Sequence, residues 1–598
     1  MPVTKLRTTS YELRTTNHVA KVLVNLPIEG PFDYKIPEAM VDKIQRGCRV
    51  WVSFGTRRLV GYVVDFSSKS RVSFPKEIEE LIDTQPILDE DMLLLTKQIS
   101  RYYICSWGEA IEAVIPSSLK KGRTKVVARK KEAEEEIKPT ISLPPTEDQK
   151  RALNSILKAI KQNQHSVFLL HGITGSGKTE VYLQSIGEVL ASGKSCIVLV
   201  PEISLTPQAV ERFKSRYQER VAIFHSRLTQ GQKYNEWKKI KDGICRIVVG
   251  ARSAIFAPVK NLGLVIIDEE HDTSYKQQDV PRYHAVDVAI MRARIANAVV
   301  ILGTATPSLE SYYKVKNKEY KLLQLEERIE KRPLPSVTIV DMREEIVQRR
   351  KRRIVFSRIL RDSIYEALDK NEQVILFLNR RGFSTYASCK KCGYVFRCQR
   401  CNIALIYHSD KKKLICHHCN YQMDPVDICP KCNSAYISYF GFGTQRVESE
   451  LHRFFPTAGI TRMDTDATVK RESHKQILSN FASGKFKILI GTQMVAKGHD
   501  FPQVTLVGVI SADTALNLPD FRAGERTFQL LTQVAGRAGR GFIPGRVIIQ
   551  TYAPHHYAII SSITHDYKGF YKKEIALRKE LMLPPFSNMI TITQRSYK

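Results

Sequence analysis

The amino-acid sequence predicts an α/β protein built on two parallel sheets, with a small β-rich domain before them and a cysteine-rich insertion inside the second. Strand-like and helix-like stretches alternate from Ile141 to about Lys331, and again from about Pro335, an order typical of parallel sheets. A glycine-rich turn joins a strand to a helix in the first stretch. Four C-x-x-C pairs, from Cys389 to Cys432, interrupt the second stretch.

The composition is that of a multidomain globular protein. The chain has 598 residues, too many for one domain, with 43% hydrophobic and 26% charged residues. Lys and Arg number 92 against 61 Asp and Glu, and the net charge of +31 favours a polyanionic partner, although a basic protein indifferent to nucleic acid would also carry it. No apolar run suits a membrane span or a signal peptide, so we expect a cytoplasmic location without membrane association.

Residues 1–118 are predicted to form a small β-rich domain with one helix. The helix is expected over Leu93–Ile104. Strands are expected where apolar residues alternate or run together, at His18–Val24, Cys48–Phe54 and Val60–Phe66. The following residues, 119–140, are charged and predict a linker or an exposed helix.

Two α/β units follow, at 141–335 and at 336–555. The cysteine-rich insertion at 389–437 divides the second unit into 336–388 and 438–555, and residues 556–598 are assigned to a partial C-terminal domain. Apolar strand candidates in the first unit are Cys196–Val200, Ile247–Val249, Leu264–Ile267 and Val299–Leu302. Those in the second are Val337–Val340, Val374–Leu378, Lys487–Ile490, Thr505–Ile510 and Arg546–Gln550.

The glycine-rich turn Gly172–Thr179 reads G-I-T-G-S-G-K-T. A strand-like run precedes it and helical spacing follows it, which is the context that makes this pattern a phosphate-binding loop rather than a chance turn. Lys178 is expected to reach the β- and γ-phosphates of ATP, and Thr179 to hold Mg²⁺. The remaining ATP-binding positions of the loop are Gly172, Ile173, Thr174, Gly175, Ser176 and Gly177.

A second acidic motif ends the buried strand at Leu264–Ile267. Asp268 is expected to hold Mg²⁺ and Glu269 to orient and deprotonate the attacking water, as in a Walker B motif. Glu270 and His271 are expected to couple this site to neighbouring elements. The alternative interpretation of this segment is a solvated acidic turn. That interpretation is less favoured because the chain also carries a phosphate-binding loop.

The insertion carries eight thiols, enough for two tetrahedral Cys₄ zinc sites. In a cytosolic chain this spacing favours metal over disulfides. The spacing leaves the pairing open; His417 and His418 could compete as ligands, but four complete C-x-x-C pairs disfavour them. The expected ligands are Cys389, Cys392, Cys398, Cys401, Cys416, Cys419, Cys429 and Cys432.

Four segments together resemble a superfamily 2 helicase: GSGKT, DEEH at 268–271, GTATP at 303–307 and QVAGRAGR at 533–540. Further segments resemble PriA, the family of bacterial replication-restart helicases also called primosomal protein N′. These are Leu199–Pro207, Asp272–Gln278, Pro281–His284, Asn379–Phe383, Gly441–Val447 and Asp513–Arg522. The resemblance spans roughly residues 18 to 585.

The resemblance implies two RecA-like helicase lobes that use ATP and Mg²⁺. Gln149 would recognise adenine, and Arg537 and Arg540 would act as arginine fingers. Gln533 and Asp500 would belong to the same surface between the lobes. Thr304 and Thr306 are candidates to relay the nucleotide state to the DNA side.

Two DNA-contact regions are implied as well. The stretch Tyr275–His284 resembles the family's aromatic-rich loop, in which aromatic side chains would stack bases and cations would neutralise phosphates, although an ordinary solvated loop is the alternative. Near the N-terminus, two segments resemble the family's pocket for the 3′ end of a nascent strand: Pro31–Pro37 and Gly47–Gly55. Without the resemblance, these segments would be interpreted as core and turn residues. The DNA-contact residues expected are Tyr275, Lys276, Arg282 and Tyr283 in the loop, and Phe32, Asp33, Tyr34 and Gly47 in the pocket.

For the insertion, the resemblance implies two nested zinc ions. One would be held by Cys389, Cys392, Cys429 and Cys432, and the other by Cys398, Cys401, Cys416 and Cys419. The family usually has a winged helix between the N-terminal domain and the helicase; only the linker stands there, so we expect that module to be absent. The family also ends in a larger C-terminal domain, so stopping at Lys598 implies a shortened lineage or a truncation.

The function implied is that of an ATP-dependent 3′→5′ DNA helicase that recognises stalled or abandoned forks, unwinds duplex and initiates primosome assembly. Expected partners are single-stranded and forked DNA and, by resemblance, primosome proteins, a helicase loader and single-strand-binding protein. One alternative is an RNA helicase or a translocase that does not unwind. Another is a fork-binding primosome scaffold whose ATPase is dispensable or uncoupled.

Overall fold

The computed structural model describes most of the chain, in two compact units. The first unit comprises Met1–Gly172, Gly177–Thr304 and Lys318–Leu325, and the second comprises Ile173–Ser176, Ala305–Asn317 and Glu326–Lys598. The described residues are 19–122, 138–202, 207–225, 228–329, 334–349, 354–378, 386–400, 403–408, 410–417, 419–439, 443–463, 471–492, 501–539 and 544–592. Within these ranges, no helix has both the length and the apolarity needed to cross a bilayer.

The N-terminal part of the first unit is a five-stranded antiparallel sheet with two helices. Its strands are β1 (Val19–Val24), β2 (Phe32–Lys35), β3 (Arg49–Phe54), β4 (Arg57–Ser67) and β5 (Ile78–Leu81), in the order β2-β1-β4-β3-β5. The helices are α1 (Glu90–Tyr103) and α2 (Trp107–Val114). The expectation of one helix is wrong, because Ser106 and Glu109 form a capping box that starts α2.

This domain continues past residue 118. Buried Arg49 forms an ion pair with Asp83 at 2.6 Å and donates a hydrogen bond to the Leu119 carbonyl oxygen. Leu119 is itself buried. Residues 119–122 therefore pack with the β-rich domain, whereas 123–137, most of the expected linker, lie outside the described residues.

The rest of the first unit is a seven-stranded parallel sheet with helices. The order β12-β6-β11-β10-β7-β9-β8 places β11 between β6 and β10. The strands are β6 (Ser166–Gly172), β7 (Ser195–Leu199), β8 (Val221–Phe224), β9 (Ile247–Gly250), β10 (Leu262–Asp268), β11 (Val299–Thr304) and β12 (Lys321–Leu325). The helices are α3 (Glu147–Lys161), α4 (Lys178–Ala191), α5 (Pro207–Tyr217), α6 (Gln230–Lys241) and α7 (Ala285–Ile295). Because parallel neighbours lie about 4.8 Å apart, the carboxyl ends of β6 and β10 are about 10 Å apart at one edge.

The second unit contains a six-stranded parallel sheet with the order β13-β23-β22-β14-β21-β20 and an apolar core on each face. Its strands are β13 (Ser336–Asp341), β14 (Gln373–Phe377), β20 (Ile460–Met463), β21 (Ile488–Gly491), β22 (Val504–Val509) and β23 (Arg546–Thr551). Its helices are α8 (Leu309–Lys316), α9 (Met342–Arg349), α10 (Arg358–Asp369), α11 (Thr444–Phe454), α12 (Arg471–Ala482), α13 (Asp513–Leu516), α14 (Ala523–Ala535), α15 (Tyr557–Ile563) and α16 (Tyr567–Glu580).

Small antiparallel sheets form the insertion between β14 and α11. One sheet pairs β15 (Ser388–Cys389) with β19 (Ile437–Ser438). The other consists of β16 (Ile406–His408), β17 (Lys413–Ile415) and β18 (Gln422–Met423). Buried Phe396, Leu405 and Leu414 are part of a small core of its own.

Candidate functional site

The phosphate loop lies between β6 and α4. β6 ends at Gly172, and α4 begins at Lys178 after Gly177, whose φ of 78° is strained for residues with a side chain. The first N–H groups of α4 and its dipole make this end of the helix suited to an anion. Lys178 Nζ donates to the Gly172 carbonyl oxygen at 2.6 Å, a bond that phosphate oxygens could replace.

Gln149 reaches the same loop from the first turn of α3. Its side-chain oxygen accepts from Thr146 N–H at 2.9 Å in a capping box, and its Nε2 donates to the Gly177 carbonyl oxygen at 3.5 Å. The side chain is buried. In this structure the amide therefore supports the phosphate loop, and its contact with adenine remains a prediction.

β10 delivers Asp268 to the sheet edge two strands from the phosphate loop. Tyr182 Oη donates to Asp268 Oδ1 at 2.9 Å. Burial, followed by the negative charge of Glu269, raises the pKa of Asp268 to about 6. A buried carboxylate of this kind is well suited to a divalent cation, which would offset its desolvation.

Glu269 adopts a left-handed backbone conformation, with φ of 48°. Such strain at a non-glycine residue costs about 1–3 kcal/mol and is common at functional sites. Its Oε2 lies 3.7 Å from His271 Nδ1 and, among the described residues, this buried oxygen has no hydrogen-bond partner. The carboxylate is thus able to accept a hydrogen bond from a bound water.

The GTATP segment contacts the acidic motif directly. His271 Nδ1 lies 2.8 Å from Thr304 Oγ1, and Glu270 N–H donates to the Gly303 carbonyl oxygen at 3.1 Å. A Cβ on Gly303 would lie 1.6 Å from Tyr182 Oη, so only glycine lets this tyrosine reach Asp268. Tyr182 was not predicted from the sequence, although its position one helical turn after Lys178 was a usable signal.

Within the second unit, Gly536 lies against Thr174, close enough that an added Cβ would be 2.8 Å from Thr174 Oγ1. Arg537 follows directly and is half-buried, with its N–H donating to the Val534 carbonyl oxygen at 3.0 Å. Arg540 and Asp500 lie outside the described residues.

The loop at Tyr275–His284 differs from the expected base-stacking platform. Tyr275 is fully buried and donates from its hydroxyl to the Asp268 carbonyl oxygen at 2.6 Å. Tyr283 is 4% exposed and packs edge-on against Phe256, with centroids 5.1 Å apart. Neither ring can stack a base here, so that role is corrected: both tyrosines anchor the loop.

The loop cations are exposed, as expected of phosphate-contacting residues. Lys276 Nζ donates to the Arg282 carbonyl oxygen at 2.5 Å, and both side chains reach solvent. Arg252, which was not predicted from the sequence, donates to the carbonyl oxygens of Ser274 and Lys276 at 2.9 and 2.7 Å.

Two of the four expected pocket residues of the N-terminal domain are structural. Tyr34 lies in the sheet core and donates to the Ser53 carbonyl oxygen at 3.0 Å, and Gly47 is packed so closely that a Cβ would lie 1.9 Å from the Leu88 carbonyl oxygen. Both residues are buried here, and their contact with the 3′ end of a strand stays a prediction.

The other two pocket residues are intermediate in burial as whole residues, although the side chain of Asp33 is only 4% exposed. Phe32 is half-buried and packs edge-on against Phe54, with centroids 5.0 Å apart. The carboxylate of Asp33 accepts from Lys21 Nζ at 3.1 Å and from Arg71 N–H at 2.7 Å. Burial opposes ionisation of Asp33, but these bonds outweigh it and hold its pKa below the usual range.

The insertion gathers its described cysteines into two groups. Cys389, Cys392, Cys429 and Cys432 form one group, and Cys398, Cys416 and Cys419 form the other, with the Sγ atoms of each group within 4.8 Å of one another. This is the nested grouping that the resemblance implies, and Cys401 lies outside the described residues.

The sulfur spacing fits tetrahedral zinc. Zn–S bonds of about 2.3 Å put the sulfurs of a tetrahedron about 3.8 Å apart. The distances are 3.6 Å between Cys389 and Cys432, 3.7 Å between Cys392 and Cys429, and 3.5 Å between Cys398 and Cys419. His417 is not grouped with these thiols; its Nε2 lies 2.7 Å from His408 Nε2.

Four family models match successive parts of the chain. They are described as 3′DNA-binding domain (residues 21–116), DEAD/DEAH box helicase (146–315), PriA DNA helicase Cys-rich region (398–423) and helicase conserved C-terminal domain (435–541). The replication restart protein PriA of Bacillus subtilis is 41% identical over 96% of this chain and 88% of its own length.

The chain belongs to the PriA family. The PriA of Synechocystis is 48% identical over 75% of this chain and 54% of its own length, and that of Treponema pallidum is 39% identical over 96% and 86%. A solved structure of RecG bound to a three-way DNA junction is distant, with a TM-score of 0.42 and 16% identity over 74% of this chain and 51% of that one, so the assignment rests on the sequence relatives. Membership in PriA brings the helicase domains of an ATP-dependent DNA helicase and a zinc-binding cysteine-rich region.

Proposed function

We propose that this chain moves 3′→5′ along single-stranded DNA by hydrolysing ATP, and that it recognises abandoned forks, unwinds their duplex and starts primosome assembly. The observation that carries the motor part is the sheet edge where the phosphate loop after β6, the Asp268–Glu269 pair after β10 and the GTATP segment after β11 lie side by side. The chain's relatives, named as replication restart proteins, support the fork part.

The residues of this edge have distinct roles in the proposal. Lys178 exchanges its bond to the Gly172 carbonyl oxygen for the β- and γ-phosphates. Asp268 and Thr179 would hold Mg²⁺, which when bound would neutralise charge on these phosphates. Glu269 orients the water and accepts its proton. Arg537, with Arg540, stabilises charge on the transferred phosphoryl group.

His271 and Thr304 link this chemistry to the rest of the first unit. Because His271 lies near Glu269 and bonds Thr304, a change at the carboxylate on hydrolysis alters the hydrogen bond to the GTATP segment. That segment continues into α8 of the second unit, which is a covalent route for the signal. Thr306, also buried in this segment, is included in the proposed relay.

DNA contact is proposed at the N-terminal domain and at the loop cations. Phe32 and Asp33 would meet the terminal base and 3′-hydroxyl of a nascent strand, and Lys276 and Arg282 the phosphates of a single strand. The two cysteine groups would hold one Zn²⁺ each, with Cys401 completing the second. Helicase loader and single-strand-binding protein remain proposed partners by family membership.

The test is steady-state ATPase activity with single-stranded DNA, RNA and forked DNA, together with strand displacement on duplexes with a 3′ or a 5′ tail. We expect DNA to stimulate hydrolysis and only the 3′-tailed duplex to be unwound. Lys178→Ala should abolish both activities and retain fork binding, whereas Lys158→Ala, at an exposed lysine on α3, should behave as wild type. Stimulation by RNA alone, or hydrolysis indifferent to DNA, would overturn the proposal in favour of the RNA helicase or the scaffold.

A further inference from the structure

The end of α1 contacts the loop that follows the acidic motif. Tyr103 Oη accepts from His284 N–H at 3.0 Å and donates to Asp287 Oδ2 at 3.0 Å. Lys276 Nζ lies 5.3 Å from the centroid of the Tyr103 ring. Since Lys276 and His284 pair as an antiparallel bridge at the base of the loop, Tyr103 contacts both of its arms.

The loop base is joined in turn to the Walker B strand. Tyr275, next to Lys276 in the chain, is buried and donates its hydroxyl proton to the Asp268 carbonyl oxygen at 2.6 Å. Direct contacts therefore run from Tyr103 through the loop base to the backbone of Asp268. All of these residues belong to the first unit.

Tyr102, beside Tyr103, presents an aromatic surface to solvent. Its side chain is 61% exposed, and the two tyrosine rings meet edge to face with centroids 4.9 Å apart. Two cations belong to the same region: Arg101 precedes Tyr102 in the chain, and Lys276 lies over the neighbouring Tyr103 ring. An exposed aromatic ring in a region that also carries cations is the combination that binds single-stranded nucleic acid without sequence preference.

We propose that Tyr102 stacks a base of single-stranded DNA beside the loop, and that Tyr103 transmits this occupancy through the loop base to Asp268. The inference rests on the proposed DNA-stimulated ATPase and assigns the stacking that the buried Tyr275 and Tyr283 do not provide. Tyr102 is the binding residue, and Tyr103 is a positioning residue. The N-terminal domain then takes part in tracking the single strand as well as in meeting a 3′ end.

Three substitutions at Tyr102 test the stacking. Phe keeps the flat aromatic face, Leu keeps apolar bulk beside Tyr103 without that face, and Ala removes both. The readouts are the concentration of a dT oligonucleotide that half-maximally stimulates ATPase, and the dissociation constant from fluorescence anisotropy of the labelled oligonucleotide. We expect both to rise about tenfold in Tyr102→Leu and Tyr102→Ala and to stay within about twofold in Tyr102→Phe.

Tyr103→Phe tests the transmission, since it removes both hydrogen bonds and keeps the ring. Oligonucleotide affinity should be unchanged, while the maximal DNA-stimulated rate should fall about three- to tenfold, the range of a lost hydrogen bond. A purely structural role would lower the unfolding temperature without this division between affinity and rate.

Three results would overturn the inference: wild-type affinity in Tyr102→Leu, weakened binding in Tyr102→Phe equal to that in Tyr102→Ala, or an unchanged maximal rate in Tyr103→Phe. Wild-type affinity in Tyr102→Leu would indicate that the exposed Tyr102 ring contacts a protein partner instead of DNA. A wild-type ATPase that ignores DNA would instead overturn the proposed function, so the two failures are distinguishable.

Discussion

Two buried tyrosines hold Asp268, at the end of β10, through two different atoms of that residue. Tyr182 donates to the carboxylate of Asp268, and Tyr275 donates to its backbone carbonyl oxygen. Both rings are fully or almost fully buried, so their hydroxyls need these acceptors. The position of the Walker B carboxylate therefore depends on side chains that bind neither nucleotide nor metal.

Tyr275→Phe separates anchoring from base stacking. If Tyr275 stacked bases, phenylalanine would replace it without loss. Because the hydroxyl anchors the loop to Asp268, we expect the variant to lose about 1–3 kcal/mol of stability and to show weaker DNA stimulation of ATPase at unchanged DNA affinity. Thermal unfolding and ATPase titration measure this, and Tyr283→Phe is the comparison in the same loop, since it removes a hydroxyl that bonds Arg252 rather than Asp268. Unchanged stimulation in Tyr275→Phe would contradict the anchoring role.

At the scale of elements, the cysteine-rich insertion repeats one turn. In three C-x-x-C pairs whose second cysteine is described, the residue after that cysteine has a positive φ. These residues are Gly393 at 76°, after Cys392; Asn420 at 58°, after Cys419; and Asn433 at 50°, after Cys432. Glycine and asparagine are the residues that adopt this conformation most readily, so C-x-x-C-[G/N] was a usable signal in the sequence. The turn directs two thiols of each pair to the same side.

Zinc content tests whether the two cysteine groups are separate sites. Cys398→Ser and Cys432→Ser should each lose one of two zinc ions, and the double variant should lose both. Cys398→Ser combined with Cys416→Ser should lose only one, because both thiols belong to one group. Mass spectrometry of the metal in purified protein measures this, and Cys105→Ser, outside the insertion, should retain two. Equal losses in the two double variants would refute the grouping.

Helix α15 begins at a histidine that must stay neutral. His556 Nδ1 accepts from Ala558 N–H at 3.2 Å, and burial, aided by the charge of Arg397, lowers the His556 pKa to about 4. The unfolded chain, with a pKa near 6.5, binds this proton first, so stability present above pH 6.5 is lost as pH falls towards 4. The loss reaches about 3 kcal/mol at most.

His556→Asn should remove this acid sensitivity, because asparagine caps a helix without ionising. We expect the melting temperature of wild type to fall more than that of the variant between pH 7 and pH 5. Scanning calorimetry at several pH values measures the difference in melting temperature between wild type and variant. Titrating groups that the two proteins share contribute equally to both melting temperatures and cancel in this difference. A difference that does not vary with pH would count against the assignment.

At the scale of the molecule, each unit has apolar cores of its own, and in the second unit a buried charge cluster joins three helices. Arg578 of α16 lies 2.6 Å from Glu525 of α14 and 3.2 Å from Glu574 of its own helix. Glu525 also accepts from Leu309 N–H at the start of α8, at 3.0 Å. The segment after GTATP and the helix leading to QVAGRAGR are thus connected through one buried carboxylate.

Arg578→Met should destabilise the second unit by about 3–5 kcal/mol, because it leaves Glu525 and Glu574 buried without their cation. Arg546→Met, which breaks an exposed ion pair with Glu366, should cost at most about 1 kcal/mol. Denaturant unfolding of both variants measures the contrast. Adding Glu525→Gln to Arg578→Met should restore part of the loss; equal effects of the two single variants would argue against a stabilising cluster.

Most of the motor could be predicted from local patterns. The phosphate loop, the strand ending at Asp268 and the position of the cysteine-rich insertion lie where expected, since each depends on spacing within one short segment. The second N-terminal helix and the burial of Tyr34, Tyr275 and Tyr283 were not predicted. An aromatic residue in a loop has the same local signature whether it faces solvent or packs beneath the loop.

The sequence by itself determined the α/β class, the two motif-bearing strands and the set of thiols available to metal. Periodicity, glycine placement and C-x-x-C spacing act over a few residues and need no distant partner. Only the tertiary structure decided the strand order, the grouping of the thiols, and the tyrosines that hold Asp268 and the loop. These depend on segments far apart in the chain meeting at one place, where burial makes each polar group require a partner.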